Sequence, residues 1–180
     1  MVTLPDGQIR RMYIAKKTNV VLIGMPGAGK STVGVLLARR LGKGFIDTDL
    51  LIQARAGQTL QAIVDREGHT ALRELEAEVL SALRCHDQVI ATGGSAVYSA
   101  EAMAALAADG VIVHLQVPMH VIRERITDFD TRGIARAAHQ TLEDLYEERE
   151  QLYRRYADMS VAVGETDQEG AVTAVLRALA

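Results

Sequence analysis

The sequence predicts an α/β domain: a five-stranded parallel sheet flanked by helices on both faces. Short apolar runs alternate with segments of helical period along the chain, which is the pattern of successive β-α-β units joined by right-handed crossovers. The first run, at 19–23, is apolar at consecutive positions and is followed by glycine, as expected of a strand buried on both faces. A length of 180 residues fits one such domain, which we place at 19–180 after a polar tail over 1–18.

The strands are predicted from short apolar runs that are bounded by glycine or polar turn residues. The five predicted strands are 19–23, 45–46, 88–92, 111–117 and 159–163.

The helices are predicted from apolar positions that recur on one face and from the residues that cap or stop them. Gly42 and Gly57 stop two helices, and Thr59 and Thr70 are candidate N-caps. The predicted helices are 30–41, 50–56, 59–65, 70–83, 99–108, 119–127, 142–156 and 170–180. Residues 128–140 show no clear period and are predicted to form a loop.

Composition and charge exclude several classes of protein. A net charge of -3 argues against a nucleic-acid binder. Cys85 is the single cysteine, so an internal disulfide and a cysteine-based zinc cluster are excluded. No apolar run approaches the roughly 20 residues of a membrane span, and the N-terminal residues lack the apolar core of a signal peptide. We therefore expect a cytoplasmic protein that binds no membrane and no nucleic acid, and we expect it to be a monomer.

Residues 24–31, Gly-Met-Pro-Gly-Ala-Gly-Lys-Ser, match the phosphate-loop pattern G-x-x-x-x-G-K-[ST] at every fixed position. The motif follows a predicted strand and opens a predicted helix, so backbone N–H groups and the helix N-terminus face the phosphates. Lys30 can reach the β- and γ-phosphates, and the Ser31 hydroxyl can ligate Mg²⁺. The sequence therefore predicts binding of a nucleoside triphosphate. The expected nucleotide contacts are Gly27, Ala28, Gly29, Lys30, Ser31 and Thr32.

Among nucleotide-binding enzymes, a small kinase fits best. A GTPase needs an Asn-Lys-x-Asp guanine-binding motif. The one asparagine of the sequence, Asn19, precedes the phosphate loop, so this motif is absent. Residues 65–68 fit the D-x-x-G pattern of GTPases, but a polar turn at a helix end explains them better. Motor-type ATPases usually carry an apolar strand that ends in Asp-Glu, and this sequence has no such strand.

Two short polar segments follow the second and third predicted strands, where ligands gather in an open parallel sheet. Asp47 and Asp49 could organise the Mg²⁺ shell and accept a proton from an attacking hydroxyl. Alternatively, Asp49 could be an N-cap for the following helix. Gly93 and Gly94 could allow close backbone approach to a ligand, or they could form only a tight turn.

The ordered set of motifs resembles the shikimate kinase family, a branch of the small P-loop kinases, over about residues 19–175. The stretches that carry the resemblance are 24–31, 45–49, 72–76, 90–94 and 148–153. The resemblance implies a three-layer P-loop kinase fold like that of nucleoside-monophosphate kinases, with strand order 2-3-1-4-5 and a mobile lid. It also implies ATP and Mg²⁺ as cofactors, and an anionic hydroxy acid, shikimate, as the acceptor.

The resemblance assigns roles by position. Asp49 would contact the acceptor hydroxyls and orient or deprotonate the attacking one, and Asp47 would lie beside the Mg²⁺ ligands. Arg73 and Arg149 would bind the acceptor carboxylate from two sides. Gly93 and Gly94 would offer backbone N–H groups to the acceptor. Arg125 would pack over the adenine, and Arg132 would reach the phosphates when the lid closes, with Arg136 as a competitor for that role.

Three departures from the family pattern bear on the acceptor. Ser95 stands where a third glycine is usual, the lid reads Arg132-Gly133-Ile134-Ala135 without the usual proline, and Glu150-Gln151 precedes Leu152-Tyr153. Phosphoryl transfer tolerates such changes, but acceptor identity depends on them. A kinase acting on another hydroxy acid, or on a hydroxy amino acid such as homoserine, is therefore the alternative. A nucleotide-binding regulatory protein is a second alternative, although such a protein would not need Asp49, Arg73 and Arg149.

Overall fold

The structure is a computed structural model that describes residues 16–126, 133–137 and 139–180. Its elements in chain order are β1 Asn19–Ile23, α1 Lys30–Leu41, β2 Gly44–Asp47, α2 Thr48–Ala56, α3 Leu60–Ala82, β3 Gln88–Ala91, a 3₁₀ turn at Ala96–Tyr98, α4 Ala100–Asp109, β4 Gly110–Gln116, α5 Met119–Arg125, α6 Leu142–Tyr156, β5 Met159–Ala162 and α7 Gln168–Leu179. Most of the predicted tail, 1–15, lies outside the described residues.

The five strands form one all-parallel sheet in the order β2-β3-β1-β4-β5, which confirms the predicted fold class and strand order. β1 is the central strand and is buried along its whole length. It pairs with β3 through Leu22 and Ala91, and with β4 through Leu22 and Val113. The apolar run that begins the domain therefore forms the middle of the core, as its two-sided pattern predicts.

Local signals place most helix ends. α1 and α2 end at Gly42 and Gly57, both with positive φ, and the Thr59 side chain accepts a hydrogen bond from Ala62 N at the start of α3. α6 begins with a capping box in which Thr141 and Asp144 bond each other's backbone N–H groups.

Two predicted boundaries were wrong. The two helical segments expected at 59–65 and 70–83 are both present, joined within α3 at a non-helical Gly68 (φ 86°, ψ 168°), but the break lies at this glycine rather than at a Thr70 cap. α2 begins at Thr48 because Asp47, not Asp49, is its N-cap: the Asp47 side chain accepts a hydrogen bond from Asp49 N.

Part of the predicted loop at 128–140 packs tightly against α3. Residues 127–132 and 138 lie outside the described part of the chain. Gly133 donates its N–H to Gln61 Oε1, and Ile134 and Ala135 are buried. Ala135 joins a small apolar cluster with Ile52 and Leu72. Residues 133–135, which lie in the segment predicted as a loop without period, are therefore held by apolar packing as well as by a hydrogen bond.

Across the described ranges, no helix combines the length and apolarity that a bilayer crossing requires.

Candidate active site

A cavity of about 310 Å³ opens at the carboxyl ends of β1, β2 and β3. Its walls combine residues from the phosphate loop, the start of α2, the loop after β3, α3, α6 and the segment at 133–135. Ten of the predicted site residues line it: Gly27, Gly29, Lys30, Ser31, Thr32, Asp49, Gly93, Gly94, Arg125 and Arg149. The chemistry-bearing motifs of distant segments thus meet at one edge of the sheet.

The phosphate loop presents an uncapped helix N-terminus to this cavity. Gly29 is the N-cap of α1 and adopts φ 89°, a left-handed conformation that only glycine takes without strain. No side chain caps this end of α1. The first-turn N–H groups of α1 are therefore not taken by a side-chain cap and suit an anion.

Lys30 is held by its own loop. Its Nζ donates hydrogen bonds to the carbonyl oxygens of Gly24, over 2.7 Å, and Met25, over 2.9 Å. Burial lowers the pKa of Lys30 to about 8, and the negative charge of Asp49 opposes that shift. The ammonium thus lies at the cavity wall, where nearby carboxylates only partly offset the effect of burial on its pKa.

The Ser31 hydroxyl donates a hydrogen bond of 2.7 Å to Asp47 Oδ2, at the exposed rim of the cavity. Asp47 Oδ1 accepts from Asp49 N at 3.0 Å, so capping of α2 also fixes the orientation of this carboxylate. Mg²⁺ prefers oxygen ligands and keeps several waters, so two oxygens beside solvent fit this ion. Asp47 itself does not line the cavity.

The loop after β3 approaches the other walls closely. A Cβ at Gly93 would clash with Glu76 Oε1 and lie 2.8 Å from Asp49 Oδ1, and a Cβ at Gly94 would lie 2.8 Å from Arg149 Nη1. The two glycines therefore let the backbone of this loop lie close to side chains of the cavity wall. Gly93 N donates to Thr48 Oγ1 at 3.1 Å.

Tyr153 on α6, to which the sequence patterns assigned no role, binds the same loop. Its buried hydroxyl donates to Gly94 O at 2.7 Å. Burial raises the pKa of Tyr153, so this hydroxyl keeps its proton and remains a donor.

Arg149 lies in the cavity wall, but Arg73 does not. Arg149 is 1% exposed, and its Nη2 donates to Ala135 O at 2.8 Å while its Nε donates to Tyr98 Oη at 3.3 Å. Arg73 stacks on Tyr98, 3.6 Å from the ring centroid, and its Nη2 donates to the same Ala135 carbonyl at 3.0 Å. Arg73 borders a neighbouring depression with His69 and Glu148 rather than the cavity itself.

A second cavity, of about 610 Å³, adjoins the phosphate loop on its outer side. Arg125 lies on the boundary between the two cavities and donates weakly to Gly27 O, at 3.4 Å, and Gly164 O, at 3.3 Å. Ala28, which is buried, faces this second cavity rather than the first.

Glu76 was missed as a site residue by sequence reasoning. It lies three residues after Arg73 in α3, is 2% exposed and lines the cavity beside Ser95. The Ser95 hydroxyl donates a hydrogen bond to Glu76 Oε2. Helical spacing from Arg73, together with the unusual Ser95, was the available signal.

The predicted lid arginine, Arg132, lies outside the described residues. Its competitor Arg136 donates through Nη1 to Ala137 O and Gln140 O, each at 3.2 Å.

Comparisons with known proteins agree with this geometry. The sequence profile of the shikimate kinase family matches residues 26–180. The shikimate kinase of Aromatoleum aromaticum is 39% identical, with 89% of this chain and 93% of that protein covered. The shikimate kinase of Methylococcus capsulatus is 38% identical, with 90% and 92% covered.

Solved structures of the same family superpose closely. Shikimate kinase from Acinetobacter baumannii in complex with shikimate has a TM-score of 0.82 at 29% identity, covering 94% of this chain and 96% of that one. Shikimate kinase from Aquifex aeolicus has a TM-score of 0.75 at 35% identity, covering 89% and 95%. The match over most of both chains, on top of the ordered motifs at one sheet edge, shows that this chain belongs to the shikimate kinase family.

Proposed function

We propose that this chain transfers the γ-phosphate of ATP to a hydroxyl of shikimate, giving shikimate 3-phosphate for aromatic amino-acid biosynthesis. The observation that carries the proposal is a single cavity with the phosphate loop on one wall and Asp49 and Arg149 on the others. A phosphoryl donor and a small hydroxylated anion would meet there. Membership of the family supports the same reaction.

The donor would be held by residues 27–32 and by Arg125. The uncapped first turn of α1 suits the phosphates, and Arg125 stands where the larger outer cavity could take the adenosine. Lys30 would contribute most as charge shifts among the phosphate oxygens in the transition state, because it is fixed and poorly solvated before reaction.

Ser31 would ligate Mg²⁺, and Asp47 would hold Ser31 or a metal-bound water. Their oxygens are the hard donors that this ion requires, and they lie at a solvent-accessible rim. When bound, the ion supplies positive charge that neutralises the phosphates.

Asp49 would orient the attacking hydroxyl and accept its proton, since it lines the cavity beside the acceptor loop. Arg149 would bind the acceptor carboxylate directly. Arg73 would support that contact through Tyr98 and Ala135, which both arginines share. Gly94 would offer its backbone N–H to the acceptor, whereas the N–H expected of Gly93 is bonded to Thr48 Oγ1 instead.

Arg132 would complete the site from the lid, by reaching the phosphates as the segment closes and excludes water. An Arg132→Ala variant would then lose turnover more than affinity for either ligand. Arg136→Ala is the matched control, because Arg136 is engaged by the carbonyls of its own loop.

The deciding experiment is a direct assay with ATP, Mg²⁺ and shikimate, following the phosphorylated product by mass spectrometry. Shikimate phosphorylation that is lost in Asp49→Asn, with ATP binding retained, is expected. Parallel reactions with homoserine and with no acceptor test the alternatives. Turnover of homoserine but not shikimate would overturn the proposed substrate, and ATP binding without any acceptor-dependent turnover would favour a regulatory protein.

The cytoplasmic location and the monomeric state stay predictions, and gel filtration tests the monomeric state.

A further inference from the structure

A buried histidine, His114 on β4, has no part in the mechanism proposed above. It is 1% exposed, and its ring stacks on that of Tyr153, with centroids 5.1 Å apart and planes inclined by 27°. Tyr153 in turn donates from its hydroxyl to Gly94 O. One face of the imidazole therefore packs against the side chain that binds the loop after β3.

His114 also lies against the start of the phosphate loop. It pairs in the sheet with Ile23, the last residue of β1, and a Cβ at Gly24 would lie 3.7 Å from His114 Cδ2. The carbonyl of the same Gly24 accepts the hydrogen bond from Lys30 Nζ. His114 is thus packed between the first residue of the donor loop and the anchor of the acceptor loop.

A second buried polar residue, Glu150 on α6, faces the imidazole. Glu150 is 7% exposed, and its Oε2 lies 3.4 Å from His114 Nε2. Its Oε1 accepts from Gln116 Nε2 at 3.2 Å and from Arg154 Nε at 3.1 Å, which fixes the carboxylate. Glu150 belongs to one of the three departures from the family pattern, so this pairing is a feature of this chain.

The protonation of His114 follows from its surroundings. Burial, together with the positive charges of Arg154 and Lys30, lowers the pKa of His114 to about 4, so the ring is neutral at neutral pH and carries one N–H. A carboxylate only accepts hydrogen bonds, so the N–H belongs on Nε2, facing Glu150. Nδ1 is then the acceptor that faces the Ser160 hydroxyl, at 3.3 Å. Both ring nitrogens are directed by neighbours, which sets the plane of the ring.

We infer that His114 is a positioning residue for phosphoryl transfer: its ring, oriented by Glu150, fixes Tyr153 and so holds the loop at Gly94 in a set position relative to the phosphate loop. The inference rests on the proposed function. If the loop shifts, Arg149 still binds the acceptor carboxylate, but the acceptor hydroxyl is misplaced relative to the γ-phosphate. A small misplacement of reacting atoms costs far more in rate than in affinity.

The test compares wild type with His114→Leu and with His120→Leu, the same substitution at an exposed position of α5. His114→Leu should lower kcat about 10-fold, while the shikimate KM and the affinity for a non-hydrolysable ATP analogue stay within about twofold of wild type. In the ligand-free protein, amide hydrogen exchange at residues 94–97 should be faster in His114→Leu than in wild type. His120→Leu should match wild type in every measurement. A folded His114→Leu protein with wild-type kcat and wild-type exchange would overturn the inference.

A double-mutant cycle tests whether the effect passes through Tyr153. Tyr153→Phe keeps the stacked ring but removes the hydroxyl that donates to Gly94 O, and it should also lower kcat. If His114 acts through that hydroxyl, the double variant loses little more than Tyr153→Phe alone. Losses that multiply as independent effects would show that His114 does not act through Tyr153, and the inference would be wrong.

Glu150 is tested by a conservative pair. Glu150→Gln keeps an oxygen that can accept from His114 Nε2–H and should retain kcat, whereas Glu150→Ala should lose part of what His114→Leu loses. Equal kcat in wild type and Glu150→Ala would remove Glu150 from the pair. Should His114→Leu fail to fold, the cycle of Glu150→Ala with Tyr153→Phe decides the question. If wild type phosphorylates no shikimate, the proposed function fails, but the exchange comparison still tests whether His114 holds the loop.

Discussion

Arg149 on α6 donates a hydrogen bond of 2.8 Å to the backbone carbonyl of Ala135, a residue 14 positions earlier in the chain. Arg73 on α3 donates to the same oxygen from another side, at 3.0 Å. One peptide carbonyl therefore connects two helices to the segment that covers the cavity. A movement of residues 133–135 would break both bonds together.

Removing Arg149 should weaken acceptor binding more than removing Arg73. Arg149 lines the cavity, whereas Arg73 lies behind it. Arg149→Ala is expected to cost about 1.5–3 kcal/mol of acceptor affinity, the range for hydrogen bonds to charged groups, with a smaller cost for Arg73→Ala. Titration calorimetry with shikimate measures both variants. ATP affinity serves as the control, and a loss of ATP rather than acceptor binding would place the arginines in the donor site.

Lys30→Ala should lower turnover by about two orders of magnitude or more with the fold retained. In the proposed function the ammonium acts mainly on the transition state, so the loss should appear in kcat rather than in the acceptor KM. Circular dichroism establishes that the variant is folded. Near-normal turnover in a folded Lys30→Ala protein would refute the role of this lysine.

Asp47 caps α2 and has a proposed role beside Mg²⁺, and substitution can separate the two. Asp47→Ala removes both the α2 cap and the partner of Ser31, and should cost about 1 kcal/mol of stability. Asp47→Asn keeps an oxygen for the cap but loses the charge near Mg²⁺. We therefore expect Asp47→Asn to unfold at nearly the wild-type urea concentration while requiring more Mg²⁺ for half-maximal activity. Equal Mg²⁺ requirements for wild type and Asp47→Asn would exclude the metal role.

Gly133→Ala should displace the segment that covers the cavity. Gly133 has φ 67°, where a side chain costs about 1–2 kcal/mol, and its Cβ would lie 2.7 Å from Gln61 N. The expected result is faster hydrogen exchange at residues 133–137 and a raised acceptor KM, with global stability changed little. Ala137→Gly, in the same segment, is the control. Unchanged exchange in Gly133→Ala would show that the contact with Gln61 is dispensable.

Glu76 should make the protein less stable as pH rises from about 4.5 to about 7. Burial raises the pKa of Glu76 to about 7 from its ordinary 4.5, against the opposing hydrogen bond from Ser95. Asp49 raises the pKa further, whereas Arg149 and Lys30 lower it. Between these two pKa values the unfolded chain has released a proton that the folded chain retains. The stabilisation from Glu76 is therefore complete below pH 4.5 and falls by up to about 1.4 kcal/mol per pH unit as the pH rises to about 7.

Urea unfolding of wild type and Glu76→Gln at pH 5 and pH 7.5 measures this effect. The wild-type unfolding free energy should fall more between the two pH values than that of Glu76→Gln. The same fall in both proteins would assign the pH dependence to other groups.

Sequence patterns predicted the strands and the phosphate loop, because these follow from local periodicity and from a motif that is contiguous in the chain, whereas the strand order was implied by the resemblance to the family. They failed where a side chain's role depends on tertiary packing. Ile134 and Ala135 carry no periodic signal, yet both are buried, Ala135 against apolar side chains of α2 and α3. Arg73 and Arg149 are alike in sequence context, but only the fold shows that Arg149 lines the cavity and Arg73 stacks on Tyr98.

The pairing of β1 with β3 has a consequence for how such an enzyme acquires new acceptors. The phosphate loop leaves β1 and the glycine loop leaves β3, and the two strands are parallel neighbours with Leu22 opposite Ala91. The points at which the two loops leave the sheet are therefore one strand spacing, about 4.8 Å, apart. Changes in the loop after β3 would therefore alter one wall of the cavity, while the sheet keeps the starting points of the two loops one strand spacing apart.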